Sequence, residues 1–408
     1  MKKTFSFLIS LFLFISLFSM TIKAKETIPK VSADSAVLMD ATTGKLLYSK
    51  NADKAYPPAS TTKIMTALLT LEKTNLNNIV TIGKNPPLAD GSKIYVFEGE
   101  KIKVRDLLYG LLLASGNDCA EALAEYIGGS QENFAKMMNK RASELGCTNT
   151  NFENPSGLYS KNHKTSSKDL AIIMRELVKH PEYTTIATTS SYNIAPTNKS
   201  KESRPLWNSN KLIQKSSNYY YGGCEGGKTG YTTQSEHSYV ASVTKNNQRL
   251  IVALVHDNKK TFFEDSIKLF DYGFNNYSLT LLYPKNAYVT SYKSRDLNIP
   301  LYASKDFYYL SKKNEHKKPN IELTNVDLDS KDFKKGDIVL DACLNCDDQN
   351  LGVLKLKSGA DHQVIRILNN EIPKSYLNLK FIVPLIGLLI VVLIFLIKFI
   401  KNKKQQSV

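Results

Sequence analysis

A serine three residues ahead of a lysine, in Ser60-Thr61-Thr62-Lys63, is the first combination in this chain able to do covalent chemistry. A serine hydroxyl becomes a useful nucleophile only when a neighbouring base takes its proton. A lysine serves as that base when desolvation or a nearby cation removes the charge from its amine. The spacing suits the task on a helix, where positions i and i+3 share a face. Pro57 and Pro58 stop whatever precedes, and the run from Ile64 to Thr70 has neither Gly nor Pro, so a helix is expected to start here. Ser60 is therefore a candidate nucleophile and Lys63 its candidate base.

Ser-x-x-Lys alone is a weak signal in a chain with 54 Lys and Arg, and it recurs at Ser242-Val243-Thr244-Lys245. There the residues alternate apolar and polar from Tyr239 to Thr244, a strand pattern that sends i and i+3 to opposite faces. The second copy is expected to be inert. Two further pieces follow the first in order, Ser115-Gly116-Asn117 and Lys228-Thr229-Gly230. Each alone reads as a cap or a turn, and Ser-x-Asn also occurs at Ser191 and Ser216. Lys-Thr-Gly occurs once, after a Gly pair and before an expected strand. The separations fit an α/β domain in which a helix, a loop and a strand edge converge on one cleft.

With these motifs the chain resembles the serine D-Ala-D-Ala carboxypeptidases, the low-molecular-mass penicillin-binding proteins of peptidase family S11, which share a fold with the serine β-lactamases. The likeness spans roughly residues 27–275 and includes Tyr56-Pro57-Pro58-Ala59-Ser60, Leu112-Leu113-Ala114-Ser115-Gly116-Asn117-Asp118, Asn154-Pro155-Ser156-Gly157-Leu158 and Gly227-Lys228-Thr229-Gly230-Tyr231-Thr232. It implies that Ser60 attacks the penultimate D-alanine carbonyl of a peptidoglycan stem peptide, with Lys63 as base and Ser115 as proton relay. It also implies that Asn117 holds the peptide backbone, that Lys228 and Thr229 bind the terminal carboxylate, and that Gly230 leaves room for an extended substrate. The backbone N–H groups of Ser60 and Tyr231 would form the oxyanion hole, and β-lactams would be covalent inhibitors. Departures from the family pattern are Ser156, where many relatives have histidine, Cys119, where they have alanine, and Ser235-Glu236-His237, where small residues are usual.

Other readings keep the same residues. A D,D-endopeptidase would use the same mechanism on cross-links. A β-lactamase needs a base for water attack, and Glu153 lies in the right region but without the Glu-x-x-Leu-Asn context of the class A enzymes. A non-catalytic wall-binding protein would keep the pocket without the chemistry.

The elements expected to position these residues are an antiparallel sheet flanked by helices. Ser35–Asp40 and Leu46–Tyr48 read as strands around Gly44, as do Ser238–Val243 and Leu250–His256 around a short polar turn. Helices are expected over Val104–Leu113, Cys119–Ile127, Asn133–Leu145, Ser167–His180 (ended by Pro181) and Phe262–Phe274. The stretch from Thr184 to Tyr221 reads as surface loops and short strands. From Tyr277 onward, short alternating runs separated by turn residues read as a small all-β domain.

Both ends carry address signals. Lys2 and Lys3 precede the apolar run Phe5–Met20, and Ala24 offers a cleavage position, so residues 1–24 read as a signal peptide. Leu379–Ile397 contains one charge, Lys380, and at about 1.5 Å per residue covers roughly 28 Å, near the thickness of a bilayer core. Lys398, Lys401, Lys403 and Lys404 follow, which places the C-terminus in the cytoplasm and the body outside. The expected organisation is a signal peptide at 1–24, a catalytic domain at 27–276, a β-rich domain at 277–372, a linker at 373–378, a transmembrane helix at 379–397 and a basic tail at 398–408.

The formal charge is +16; without the three lysines of residues 1–24 and the five of residues 379–408, the exported body carries +8. That suits an anionic cell wall or lipid surface. Nucleic acid is not an expected partner, since there is neither a zinc-finger spacing nor a phosphate-binding glycine loop. Five cysteines do not build a disulfide framework for 408 residues. Cys343-Leu344-Asn345-Cys346 reads as a local disulfide or two thiols, and no metal or cofactor is implied.

Overall fold

The sheet at the centre of the catalytic region is buried on both faces, which is why its strands are almost uninterruptedly apolar. In the computed structural model, which describes residues 27–313, 319–346, 349–364 and 379–405, the chain opens with β1 (Ser35–Asp40) and β2 (Leu46–Lys50). A 3-10 turn, Ala59–Thr62, runs directly into α1 (Lys63–Lys73). Then come β3 (Ile79–Thr81), β4 (Lys101–Lys103), α2 (Val104–Leu113), α3 (Asn117–Gly128), α4 (Gln131–Glu144), α5 (Ser167–Leu177) and α6 (Pro181–Ala187). The chain continues with β5 (Ser191–Ile194), β6 (Arg204–Trp207), β7 (Cys224–Thr232), β8 (Glu236–Lys245), β9 (Gln248–Asp257) and α7 (Phe262–Asn276).

The five main strands lie in the order β2-β1-β9-β8-β7, all antiparallel, with β7 at the edge. Alternation sends Val37, Met39, Val240, Ile251 and Ala253 into a core shared with α1, α2, α3 and α5. Ala36, Leu38, Tyr239, Val252 and Leu254 face a second core capped by α7 through Phe263, Leu269 and Phe270. The β8–β9 turn is Asn246-Asn247, both at positive φ (50° and 61°), the twist a tight hairpin requires and asparagine tolerates. Ser242 and Lys245 of the second Ser-x-x-Lys lie on β8. Ser242 bonds to Glu225, whereas Lys245 sits 3.6 Å above the Tyr221 ring.

One expectation is corrected, and a choice left open between a disulfide and two thiols falls to the thiols. Pro181 does not terminate the helix before it but occupies the first turn of α6, where its missing N–H has no partner to lose; α5 ends earlier, at Leu177. Cys343 and Cys346 both lie on β15 (Ile338–Cys346). Three residues of extended chain separate their Cα atoms by roughly 10 Å on opposite faces, beyond the reach of a disulfide.

Contacts divide the chain into residues 1–283 with 306–319, and residues 284–305 with 320–408. The first unit takes in β10 (Tyr277–Tyr283) paired with β13 (Phe307–Lys312). In the second, β11 (Tyr288–Lys293), β12 (Asn298–Ala303), β14 (Asn320–Leu323), β15 and β16 (Gln349–Ser358) form one sheet in the order β11-β12-β16-β15-β14, and a C-terminal helix follows it in the chain. The expected signal peptide and linker lie outside the described residues. α8 spans Leu379–Gln405, and its side chains are described from Pro384 to Lys398. Among the described residues no helix is long and apolar enough to cross a membrane; the stretch of α8 whose side chains are described covers about 22 Å, with Leu385 to Ile397 exposed.

Candidate active site

The first motif is built on a strained turn. Ala59 is fully buried at φ +51°, a left-handed conformation that costs a residue bearing a Cβ. The turn is pressed from both sides by glycines of other segments. A Cβ on Gly157 would fall 1.9 Å from the Ala59 carbonyl, and one on Gly230 would fall 2.9 Å from the Ser60 nitrogen. Thr61 Oγ1 donates to the Pro58 carbonyl at 2.7 Å and closes the turn from within. Ser60 thus sits on a 3-10 turn, with Lys63 as the first residue of α1.

Lys63 is wholly buried. Its Nζ lies 2.9 Å from Ser60 Oγ, 2.6 Å from Asn117 Oδ1 and 2.7 Å from the Ser156 carbonyl. A neutral amine fits these partners: two N–H bonds for the two carbonyl oxygens and one lone pair for the serine hydroxyl. Burial pushes the Lys63 pKa well below its ordinary value, and the positive charge of Lys228 lowers it further. The base is thereby held close to the form it needs. The Ser156 contact also explains how this loop tolerates serine where histidine is usual, because the atom that reaches Lys63 belongs to the backbone.

Ser115 is the middle residue of the α2–α3 connection, at φ +60°, and lines the cleft. Asn117 opens α3, and while its Oδ1 accepts from Lys63, its Nδ2 donates to the Asp90 carbonyl. Asp118 accepts from the Ile94 and Cys119 N–H groups and so ties to α3 the segment whose Ser92 lines the cleft. Lys228-Thr229-Gly230 lies within edge strand β7 instead of preceding a strand. Lys228 is buried, its Nζ donates to the Thr229 carbonyl at 2.9 Å, and burial lowers its pKa to about 7. Tyr231 is 60% exposed and stacks on His237, ring centroids 4.5 Å apart.

The structure therefore sorts the expected residues into two sets. Ser60, Ser115, Thr229, Gly230 and Tyr231 line an open cleft of about 690 Å³. Lys63, Asn117 and Lys228 stand buried behind it. The sequence reading missed His163, whose Nε2 meets Thr62 Oγ1 at 2.9 Å, and Lys260, the one charged residue described in the cleft lining. Lys260 lies at φ +57° in a loop held by Asp257, whose carboxylate accepts from the Lys259 and Thr261 N–H groups at 3.0 Å each. Neither residue sits in a periodic run or beside a motif, so no local signal marked them.

A serine bonded to a buried, charge-depleted lysine, at the edge of an antiparallel sheet between helical layers, defines a serine acyl-transfer enzyme of the β-lactamase and transpeptidase type. More narrowly, the chain belongs to the D-alanyl-D-alanine carboxypeptidase family, peptidase S11, whose model matches residues 21–259; residues 277–364 match the C-terminal domain of penicillin-binding protein 5. The D-alanyl-D-alanine carboxypeptidase DacF of Bacillus subtilis is 38% identical over 292 residues, covering 69% of this chain and 73% of the relative. DacC of Escherichia coli is 35% identical over 294 residues, covering 68% and 71%. Penicillin-binding protein 5 of Haemophilus influenzae superposes with a TM-score of 0.71 at 30% identity, covering 82% of this chain and 98% of that one.

Proposed function

We propose that the protein removes the C-terminal D-alanine from peptidoglycan stem pentapeptides through an acyl-enzyme on Ser60. Lys63 Nζ takes the Ser60 proton as Oγ attacks the penultimate D-alanine carbonyl. The N–H groups of Ser60 and Tyr231 stabilise the oxyanion as it forms. Ser115 passes the proton to the departing D-alanine nitrogen, the C–N bond breaks, and water then hydrolyses the ester to regenerate Ser60 and release the tetrapeptide. β-Lactams enter the same first step and remain on Ser60.

Asn117 orients Lys63 and presents its remaining amide capacity to the peptide. The substrate's terminal carboxylate lies against Thr229, and Lys260 supplies its charge. Lys228, buried and with a pKa near neutrality, acts from behind by keeping Lys63 uncharged. The observation that carries this reading is the set of three partners around Lys63 Nζ. Leu379–Ile397 anchors the enzyme in the cell membrane as a single pass, catalytic domain outside.

The test is intact-mass spectrometry after benzylpenicillin, run beside D-alanine release from a peptide ending in D-Ala-D-Ala. An adduct mapped to Ser60, D-alanine release, and loss of both in Ser60→Ala are expected. An adduct elsewhere, or release that survives Ser60→Ala, would overturn the reading. For the anchor, the protein should stay with membranes through alkaline extraction, and extraction into the soluble fraction would refute the span.

A further inference from the structure

Behind the nucleophile turn lies a histidine that the mechanism above does not use. His163 is 1% exposed, and both ring nitrogens are engaged. Nδ1 accepts from the Glu153 N–H at 3.0 Å, so the ring proton resides on Nε2, which donates to Thr62 Oγ1 at 2.9 Å. Phe152 packs edge-on against the ring at 5.6 Å between centroids.

The two partners belong to the two segments that hold Lys63. Thr62 closes the 3-10 turn and immediately precedes Lys63. Glu153 opens the loop whose Ser156 carbonyl accepts from Lys63 Nζ at 2.7 Å. The same two segments touch again at Gly157, where a Cβ would lie 2.8 Å from Thr62 Oγ1. At so close a contact, a small shift of either segment moves the amine relative to the serine.

We propose that His163 is a positioning residue for the catalytic base: its neutral ring ties the Ser60–Lys63 turn to the Glu153–Leu158 loop and so keeps the Lys63 amine dry and aligned on Ser60 Oγ. The inference rests on Lys63 being that base. Burial lowers the His163 pKa to about 4, so the tie is intact throughout the neutral range. A protonated ring would set an Nδ1–H against the Glu153 N–H, donor facing donor, and open it.

Amide side chains separate the two halves of the tie. In His163→Gln the amide extends to the Nε2 position and retains a donor for Thr62. In His163→Asn the carbonyl stands near the Nδ1 position, so the Glu153 bond is kept and the Thr62 bond is lost. Thr62→Val removes the acceptor without touching the ring. The measurement is the second-order rate of acylation of the full chain by benzylpenicillin against pH, with Lys63→Ala alongside. At pH 7, His163→Asn and Thr62→Val are expected to lose at least about tenfold. Their acid limb, which reports loss of a proton from the interacting Lys63 and Lys228 amines, is expected to move up by more than about half a pH unit as water reaches Lys63, while His163→Gln stays within about threefold. The position of that limb does not depend on how much of a variant is folded, and Thr62→Val carries the test if the His163 variants do not fold. An unmoved limb in Thr62→Val and in any His163→Asn protein that folds, with Lys63→Ala inert, overturns the tie alone. Acylation of Lys63→Ala at the parental rate overturns the base assignment and the inference together.

Discussion

The two sides of the cleft are built on opposite plans. On the buried side Lys63, Asn117, Thr62 and His163 are joined to one another, to the Ser60 hydroxyl or to the Ser156 carbonyl by bonds of 2.6–2.9 Å, and most of their bonding capacity is already used within the protein. On the open side Tyr231 and Lys260 are exposed and Gly230 offers bare backbone. Groups that must act on a developing charge gain from being fixed in advance, because no reorganisation is then required at the moment of reaction. Groups that recognise a flexible peptide can leave some of their bonding capacity for it.

This contrast is sharpest where a change touches the base. Lys63→Ala should lower the rate of acylation by at least about 10³-fold at neutral pH, in the range of general base catalysis, measured as the second-order rate with benzylpenicillin. A smaller loss would mean that the buried side is not where the proton goes. Gly157→Ala should come next. Its Cβ would meet the Ala59 carbonyl at 1.9 Å and its φ is +85°, so about 2–4 kcal/mol of stability should be lost, read as a lower urea midpoint. On the open side Lys260→Ala should raise KM for a D-Ala-D-Ala peptide by about tenfold, as for one charge-assisted hydrogen bond, with kcat within about twofold. A comparable fall in kcat would break the division between the two sides.

A further effect, spread over a pH range, is on acid stability. His163 is neutral in the folded protein down to about pH 4, against 6.5 for an ordinary histidine. The unfolded chain takes up that proton first, so stability is complete above pH 6.5 and declines as pH falls from 6.5 to 4, by at most about 3 kcal/mol. Urea midpoints at pH 7 and pH 4.5 should differ in the parent and differ less in His163→Gln.

The sequence was legible where chemistry and periodicity coincide. β1 and α2 are found over the same residues as the pattern predicts, and Ser60, Ser115 and Thr229 meet in one cleft because each motif opens or edges a regular element. The parts that were not legible depend on long-range contact. The type and neighbours of Lys228 are visible in one dimension, whereas its burial is decided by contacts made only in the folded chain. The importance of Ser156 was hidden for another reason, since its contribution is a carbonyl oxygen that any residue supplies. Pro181 was ambiguous in principle, because a proline ends one helix or begins another depending on the residues after it.

One consequence of β7 concerns encounters between molecules. A terminal strand is a template for any extended chain, including the same edge of a second copy. Here the strand starts with a register shift at Cys224/Gly226, and the Ala59–Thr62 turn lies against Gly230. The uninterrupted edge is therefore short: long enough for the tail of a peptide, too short for strand-to-strand zippering. The opening that admits a substrate is thus also the fold's protection against self-association, and substitutions that straighten the 224–226 bulge should appear first as turbidity in concentrated solution.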